Sequence, residues 1–133
     1  MILKVNFESD MPIYIQLRTQ IIEGIATGNI SEGGSLPSVR QMASDLGINL
    51  HTVNKAYTLL KQDGFITVHR QKGVIINTID VRRVDEGYIS KLETDLGALA
   101  AEAFCRGMDE EEFKKICHDL YFKYQNKKQE GQL

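Results

Sequence analysis

The feature that most constrains the fold is a pair of short amphipathic segments within residues 36–64 that only three residues separate. The first segment opens with a capping box, because the Ser38 hydroxyl can accept a hydrogen bond from the Gln41 amide while the Gln41 side chain reaches back. It ends at Gly47, a residue type that tolerates the left-handed conformation after a helix. Asn49 is then placed to cap the second segment. Two helices joined by so short a turn predict a helix-turn-helix.

Both segments repeat apolar residues at the spacing of a helix. The apolar positions are Val39, Met42, Ala43 and Leu46 in the first segment, and Val53, Ala56, Tyr57 and Leu60 in the second. The second segment ends near Asp63-Gly64. Its polar or basic positions are His51, Thr52, Asn54, Lys55 and Thr58. We therefore expect the second helix to bury one face and to present the other, as a recognition helix does to the DNA major groove.

A basic hairpin is predicted after the second helix. β-branched runs occupy residues 65–69 and 74–77, and Arg70, Lys72 and Gly73 lie in the turn that joins them. A helix-turn-helix followed by such a hairpin is a winged helix. The fold class is therefore mainly α with a small β-hairpin wing.

Upstream of this motif the sequence predicts one more helix. It starts at residues 10–12, ends at Gly28-Asn29, and repeats apolar residues at helical spacing. These residues are Tyr14, Leu17, Ile21, Ile22 and Ile25. Residues 2–7 alternate apolar and polar side chains, which indicates a short, half-buried extended segment. Residues 1–79 are interpreted together as a winged-helix DNA-binding domain.

The remaining residues, 80–133, predict a C-terminal helical region of two helices. The first runs from Val84 to near Gly107. The second opens with a capping box formed by Asp109 and Glu112. The apolar stripes are Tyr88, Leu92, Leu96, Leu99 and Ala103 in the first helix, and Phe113, Ile116, Cys117, Leu120 and Tyr124 in the second. Residues 126–133 are polar and are expected to fray.

The tail presents more apolar surface than two helices can cover. The stripes could form the core of a monomer, but Ile89 and Phe104 lie on a different face, so a partner chain is the better account. The sequence therefore predicts a homodimer. The expected interface residues are Tyr88, Leu92, Leu96, Leu99, Phe113, Ile116 and Leu120.

Charge is distributed unevenly along the chain. The 133 residues carry a formal net charge of -2, which taken alone argues against nucleic acid. Residues 36–79, however, hold five basic and two acidic side chains, giving +3. Residues 80–133 sum to -3 and residues 1–35 to -2. Positive charge is thus concentrated in the helix-turn-helix and wing, where basic side chains can neutralise DNA phosphates.

Other functional classes have little support in the sequence. There is no glycine-rich phosphate loop, nucleophile elbow or pair of ligands at metal spacing, so neither an enzyme nor a cofactor or metal site is expected. Cys105 and Cys117 are interpreted as reduced structural thiols, and a thiol or metal sensor built on them and His118 is the less favoured alternative. No signal peptide and no run of roughly 18 apolar residues is present, which predicts a cytoplasmic protein without a membrane partner.

Several short blocks resemble the GntR family of bacterial winged-helix transcription regulators. They are Leu36-Pro37-Ser38-Val39-Arg40, Leu46-Gly47, Thr52-Val53 and Asp63-Gly64-Phe65-Ile66. The resemblance covers about residues 10–79. The block Asn54-Lys55-Ala56-Tyr57 and the short two-helix tail resemble the YtrA-type subfamily, whose members lack a large effector domain.

The resemblance implies a dimer that places its second helix-turn-helix helix in the major groove and its wing tip in the adjacent minor groove. It matches Arg40 to a DNA-contacting arginine and Gly73 to the wing-tip glycine. It also matches His51, Thr52 and Asn54 to exposed recognition-helix positions. Leu50 and Asn54 stand where the best-known branch often carries arginines, so the operator sequence cannot be transferred. Kinship with the subfamily further suggests control of a transporter operon.

The leading hypothesis is a homodimeric transcriptional regulator that acts as a repressor. It is expected to bind a pseudo-palindromic double-stranded DNA operator. The candidate DNA-binding residues are Ser38, Arg40, Asn49, His51, Thr52, Asn54, Lys55, Arg70, Lys72 and Gly73. Arg40, Lys55 and Lys72 are assigned to phosphate, and His51, Thr52 and Asn54 to base edges. Each basic residue could instead be an ordinary solvated side chain. The alternatives left open are a winged-helix protein-interaction module without DNA binding and a switch that responds to a small-molecule effector.

Overall fold

A computed structural model describes residues 3–131, with side chains described as far as Asn126. This part of the chain contains five helices and one three-stranded antiparallel sheet. The helices are α1 (Ile13–Thr27), α2 (Val39–Leu46), α3 (Leu50–Gln62), α4 (Glu86–Cys105) and α5 (Glu110–Gly131). The strands are β1 (Ser35–Leu36), β2 (Ile66–His69) and β3 (Gly73–Ile76). The predicted winged helix with a two-helix tail is confirmed.

The core lies entirely in the winged unit, between Leu17 and Ile76. Helix α1 packs on α3, α3 packs on α2 and on β2, and the sheet closes the other side. The apolar stripe predicted for α3 is buried at every position, as are Leu17, Ile21 and Ile25 of α1. Burial of these faces excludes apolar surface from water and holds the helix-turn-helix rigid.

The sheet contains one strand that the sequence does not predict. The short strand β1 pairs antiparallel with β3, so the sheet order is β1-β3-β2. In the register Leu36 faces Val74, and in the hairpin Ile66 faces Ile76. Two residues are too few to show an alternating pattern, so no spacing in the sequence indicates this strand.

The N-terminal segment is partly as expected. Leu3 and Val5 are half-buried, but residues 3–6 form no strand and Phe7 is exposed. The backbone amides of Lys4 and Asn6 donate to glutamine side chains of α1, each at 2.8 Å. Glutamine side chains thus replace a neighbouring strand, and a turn beginning at Phe7 carries that residue away from α1.

An aspartate caps the N-terminus of each tail helix. Asp109 Oδ1 accepts from the Glu112 amide at 2.8 Å, which confirms that cap. Asp85 Oδ1 accepts from the Tyr88 amide at 2.8 Å and starts α4 two residues after Val84. Helix α5 continues to Gly131, through most of the segment expected to fray, and residues 132–133 lie outside the described chain. Helix α5 approaches α1, whereas α4 and α5 do not pack along each other in the described structure.

Candidate nucleic-acid interface

The turn between α2 and α3 depends on a glycine and on two capping side chains. Gly47 has φ +66°, in the left-handed region, and the Ile48 amide donates to the Ala43 carbonyl at 3.1 Å. Ser38 Oγ accepts from the Gln41 amide at 3.1 Å, and Asn49 Oδ1 accepts from the His51 amide at 2.7 Å. The two helices are thereby held by local hydrogen bonds at both ends of the motif.

One half of the predicted capping box is wrong. Gln41 does not reach back to Ser38; its Nε2 donates instead to Asp45 Oδ1 at 2.6 Å. A carboxylate four residues along a helix offers a charge-assisted bond, which is stronger than a bond to a neutral backbone amide. Asp45 is therefore occupied by an intramolecular partner.

A buried tyrosine ties the recognition helix to the loop before α2. The Tyr57 hydroxyl donates to the Pro37 carbonyl at 2.7 Å, across twenty residues of sequence. Burial raises the pKa of the Tyr57 hydroxyl, because a buried phenolate would lose its hydration. The bond fixes α3 relative to Ser38 and Arg40 at the start of α2.

The outward face of α3 carries the candidate reading residues. His51, Asn54 and Lys55 are exposed and Thr52 is half-buried. Lys55 has a partner that the sequence does not reveal, since its Nζ lies 4.0 Å from the centroid of the Tyr14 ring. A cation over an aromatic face is attracted by the ring quadrupole. Lys55 thus already has an intramolecular partner.

The wing presents its basic residues at an exposed turn with a rigid base. Arg70 and Lys72 are exposed in the turn between His69 and Gly73, and Gly73 begins β3. At the base of the hairpin, Thr67 Oγ1 donates to Asn77 Oδ1 at 2.7 Å. Such a side-chain bond braces the strands where they leave the core, so the tip is held in position.

The electrostatics of this region follow from which charges are paired. Asp63, one of its two acidic residues, forms an ion pair with Arg18 of α1 at 2.7 Å. Within the described chain, Arg40, Arg70 and Lys72 are exposed and have no ion pair or hydrogen bond. In the same described region, Lys61 in the last turn of α3 is likewise exposed and unpaired. Both carboxylates are therefore engaged, while four cations remain free to meet an anion.

The tail residues predicted for an interface stand mostly in solvent. Six of the seven are exposed, from Leu96 at 39% to Leu99 at 63% of the side chain's full exposure, and Phe113 is half-buried. Phe104, on another face, is 81% exposed. Cys105 and Cys117 are free thiols. No group of His, Cys, Asp and Glu among the described residues is arranged to hold a metal ion.

Comparison with known proteins identifies the family. Residues 13–76, from the start of α1 to the end of β3, match the bacterial regulatory proteins of the gntR family. The transcriptional repressor YtrA of Bacillus subtilis is 31% identical over 118 residues, which cover 89% of this chain and 91% of YtrA. The chain belongs to the GntR family. It is thus a transcriptional regulator and not an enzyme.

Solved structures of similar proteins extend the likeness of this GntR-family chain beyond the winged unit. A transcriptional antiterminator from Listeria monocytogenes has a TM-score of 0.83 at 28% identity and covers 90% of each chain. YtrA from Sulfolobus acidocaldarius, a GntR-family transcription factor, has a TM-score of 0.62 at 39% identity and covers 76% of this chain and 99% of that one. The YtrA-like assignment is therefore confirmed. In residues 3–131, no helix is both long and apolar enough to cross a membrane.

Proposed function

We propose that this GntR-family regulator binds a pseudo-palindromic DNA operator as a homodimer. Each subunit places α3 in the major groove and the wing tip in the adjacent minor groove. The observation that carries the proposal is the pairing pattern: the start of α2 and the wing tip each present cations without an intramolecular partner. Such cations can bind phosphate without first breaking an internal bond.

The roles of individual side chains follow from their position and exposure. Arg40 lies in the first turn of α2, where backbone amides also point outward, and we assign it to phosphate. Arg70 and Lys72 are assigned to the backbone beside the minor groove. Asn54 and His51, exposed on α3, are the leading candidates for base edges, with Thr52 beside them. Ser38 and Asn49 act as caps that set the direction of these helices.

Dimerisation is supported by the apolar face of α4. Tyr88, Leu92, Leu96 and Leu99 recur at helical spacing, and no residue of α4 is buried. A row of exposed leucines on a soluble regulator marks an interaction surface. A second copy of the same helix offers a complementary row, and a two-fold dimer would match a two-fold operator.

The direction of regulation is proposed from a relative. The Bacillus subtilis relative carries the name of a repressor, so we propose repression. Control of a transporter operon is proposed from the YtrA-type resemblance. A promoter-reporter assay, with the gene deleted and then restored, tests both: unchanged expression of adjacent transporter genes would refute that part of the proposal.

The binding test uses the full chain. An operator is selected from random duplex DNA, and gel shifts then compare the native protein with Arg40→Ala and Asn54→Ala. Loss of Arg40 should weaken binding to every duplex alike, whereas loss of Asn54 should change the preference among operator variants. Undiminished affinity of Arg40→Ala would remove the phosphate assignment. If no duplex is selected and DNA affinity does not respond to salt, the protein-interaction module becomes the better account.

A further inference from the structure

The direction in which α4 leaves the winged unit is not set by packing of α4 itself. No residue of α4 is buried, and a groove of about 890 Å³ separates its first turns from the winged unit. Arg18, Asp63 and Phe65 line one side of the groove, and Tyr88 and Leu92 line the other. At this end of the tail, the linker of residues 78–85 is therefore the part of the chain that positions α4.

The linker is folded tightly against the end of α3. Its backbone forms two successive turns, with the Val81 amide donating to Thr78 at 3.1 Å and the Arg82 amide to Ile79 at 3.2 Å. It passes over Gly64, where an added Cβ would lie 3.5 Å from Arg82 Cβ. Gly64 also has φ +83°, which other residues rarely adopt. An added Cβ would thus only touch the linker, and it is the backbone conformation that favours glycine here.

Arg82 joins the linker to three parts of the winged unit. Its guanidinium donates to the Asn77 carbonyl at the end of β3 and to the Glu32 carboxylate in the loop before β1. It also lies 5.8 Å from the centroid of the Phe65 ring. The side chain is only 12% exposed, so these bonds are shielded from competing water. The neighbouring Arg83 is exposed and forms no such bond in the described chain.

We propose that Arg82 is a positioning residue that sets the angle at which α4 leaves the winged unit and, through that angle, the half-site spacing the dimer accepts. The proposal rests on the proposed function, because it assumes two winged units joined through their tails. Half-site spacing is a geometric property of such a dimer: two added base pairs turn one half-site by about 70° about the DNA axis. A rigid linker resists that rotation, whereas a loosened linker follows it.

The test measures affinity against spacing. From the selected operator, duplexes are made with the spacer shortened or lengthened by one and two base pairs, and dissociation constants are measured for three proteins. The native protein should lose at least about tenfold in affinity at a two-base-pair change. Arg82→Ala should lose only about threefold, because its α4 can follow the displaced half-site. Arg83→Ala, matched in charge and in sequence position, should retain the native profile.

A second variant guards against loss of folding. Glu32→Gln keeps the arginine and its bond to Asn77 but removes the ion pair, and it should flatten the spacing profile in the same direction by a smaller factor. It carries the test if Arg82→Ala does not fold. Thermal melting and solution mass measure whether the fold and the dimer are intact in each variant.

The outcomes separate the two proposals. A native protein that selects no operator refutes the proposed function itself. A native protein with a spacing preference that a folded Arg82→Ala or Glu32→Gln retains in full refutes the role of Arg82 alone. Equal flattening by Arg83→Ala would also overturn it, since charge near the linker, and not the bonds of Arg82, would then explain the effect.

Discussion

The salt dependence of operator binding gives the sharpest test of how DNA is held. Each phosphate that a protein cation neutralises releases a counterion, so the logarithm of the affinity falls linearly with the logarithm of salt concentration. The structure indicates which cations to count. Arg40, Arg70 and Lys72 are exposed without an internal partner, at the start of α2 and at the wing tip. Lys55 sits over the Tyr14 ring, and Lys61 lies in the last turn of α3, away from the proposed contacts, so neither is counted.

The magnitude follows from that count. Three contacts per subunit in a dimer predict a slope of about -5.4, at about 0.9 per contact. Affinity should then fall about 1,800-fold between 50 and 200 mM salt. Arg40→Ala removes one contact from each subunit, so the slope should become about -3.6 and the fall about 150-fold. The comparison depends only on the difference between two slopes measured on the same operator.

The assay is fluorescence anisotropy of a labelled operator, titrated at five or more salt concentrations with each protein. Arg106→Ala is the matched control, because it removes the same charge at the far end of α4, where Arg106 pairs with Glu102 at 2.8 Å. Its slope should equal the native slope. An Arg40→Ala slope as steep as the native one would refute the counting argument, and a slope that also changes in Arg106→Ala would show that overall charge governs binding.

Further predictions, on three variants, concern the fold that supports the site and the proposed dimer interface. Tyr57→Phe should lower the free energy of unfolding by about 1 kcal/mol in urea denaturation, because it leaves the half-buried Pro37 carbonyl without its donor. Burial raises the pKa of Tyr57 in the folded state above its ordinary value of 10.0. The free energy of unfolding that this hydroxyl contributes is therefore complete below pH 10 and falls as the pH rises further. Unfolding curves from pH 8 to 11 should show this fall for the native protein and not for Tyr57→Phe. Gly47→Ala should cost about 1–2 kcal/mol at its φ of +66° in the same measurement. On the proposed α4 interface, Leu96→Glu should convert the homodimer to a monomer in sedimentation experiments.

Each of these has an outcome that contradicts it. A Tyr57→Phe protein as stable as the native one, with the same alkaline limb, would mean that the hydroxyl contributes nothing. An unaffected Gly47→Ala would mean that the turn relaxes at no cost. A Leu96→Glu protein that remains dimeric would remove the apolar stripe of α4 from the interface. As a control, thermal melting of this variant should match the native protein, which shows that the substitution affects association and not folding.

Local signals in the sequence predicted the winged unit well, for a physical reason. Capping residues and apolar residues at helical spacing predict its helices, and Val53, Ala56 and Leu60 are buried as that spacing predicts. Burial of a one-sided stripe is required wherever the helix folds against a core. Such rules fail where two nearby groups compete for one side chain. Gln41, for example, bonds to the carboxylate of Asp45 and not to the backbone of Ser38.

Contacts between distant residues could not be predicted in the same way. Lys55 reaches Tyr14, and Arg82 reaches Glu32 fifty residues away, without any spacing or motif that links them. Long cationic side chains can reach many partners, and only the folded chain selects one. The basic residues of the site were therefore identifiable by type, but which of them are free to meet phosphate depends on the tertiary fold.

The acidic charge of the tail follows from what its side chains do locally. Asp109 caps α5, and Glu110, in the first turn, pairs with Lys114 at 2.7 Å. Carboxylates at that end are favoured because the helix N-terminus carries partial positive charge. Acidic residues thus stabilise a helix start in the tail, whereas the proposed DNA contacts need the basic residues of the helix-turn-helix and the wing. The net charge of -2 combines these two separate demands, so it indicates nothing about the sign of the DNA-binding surface.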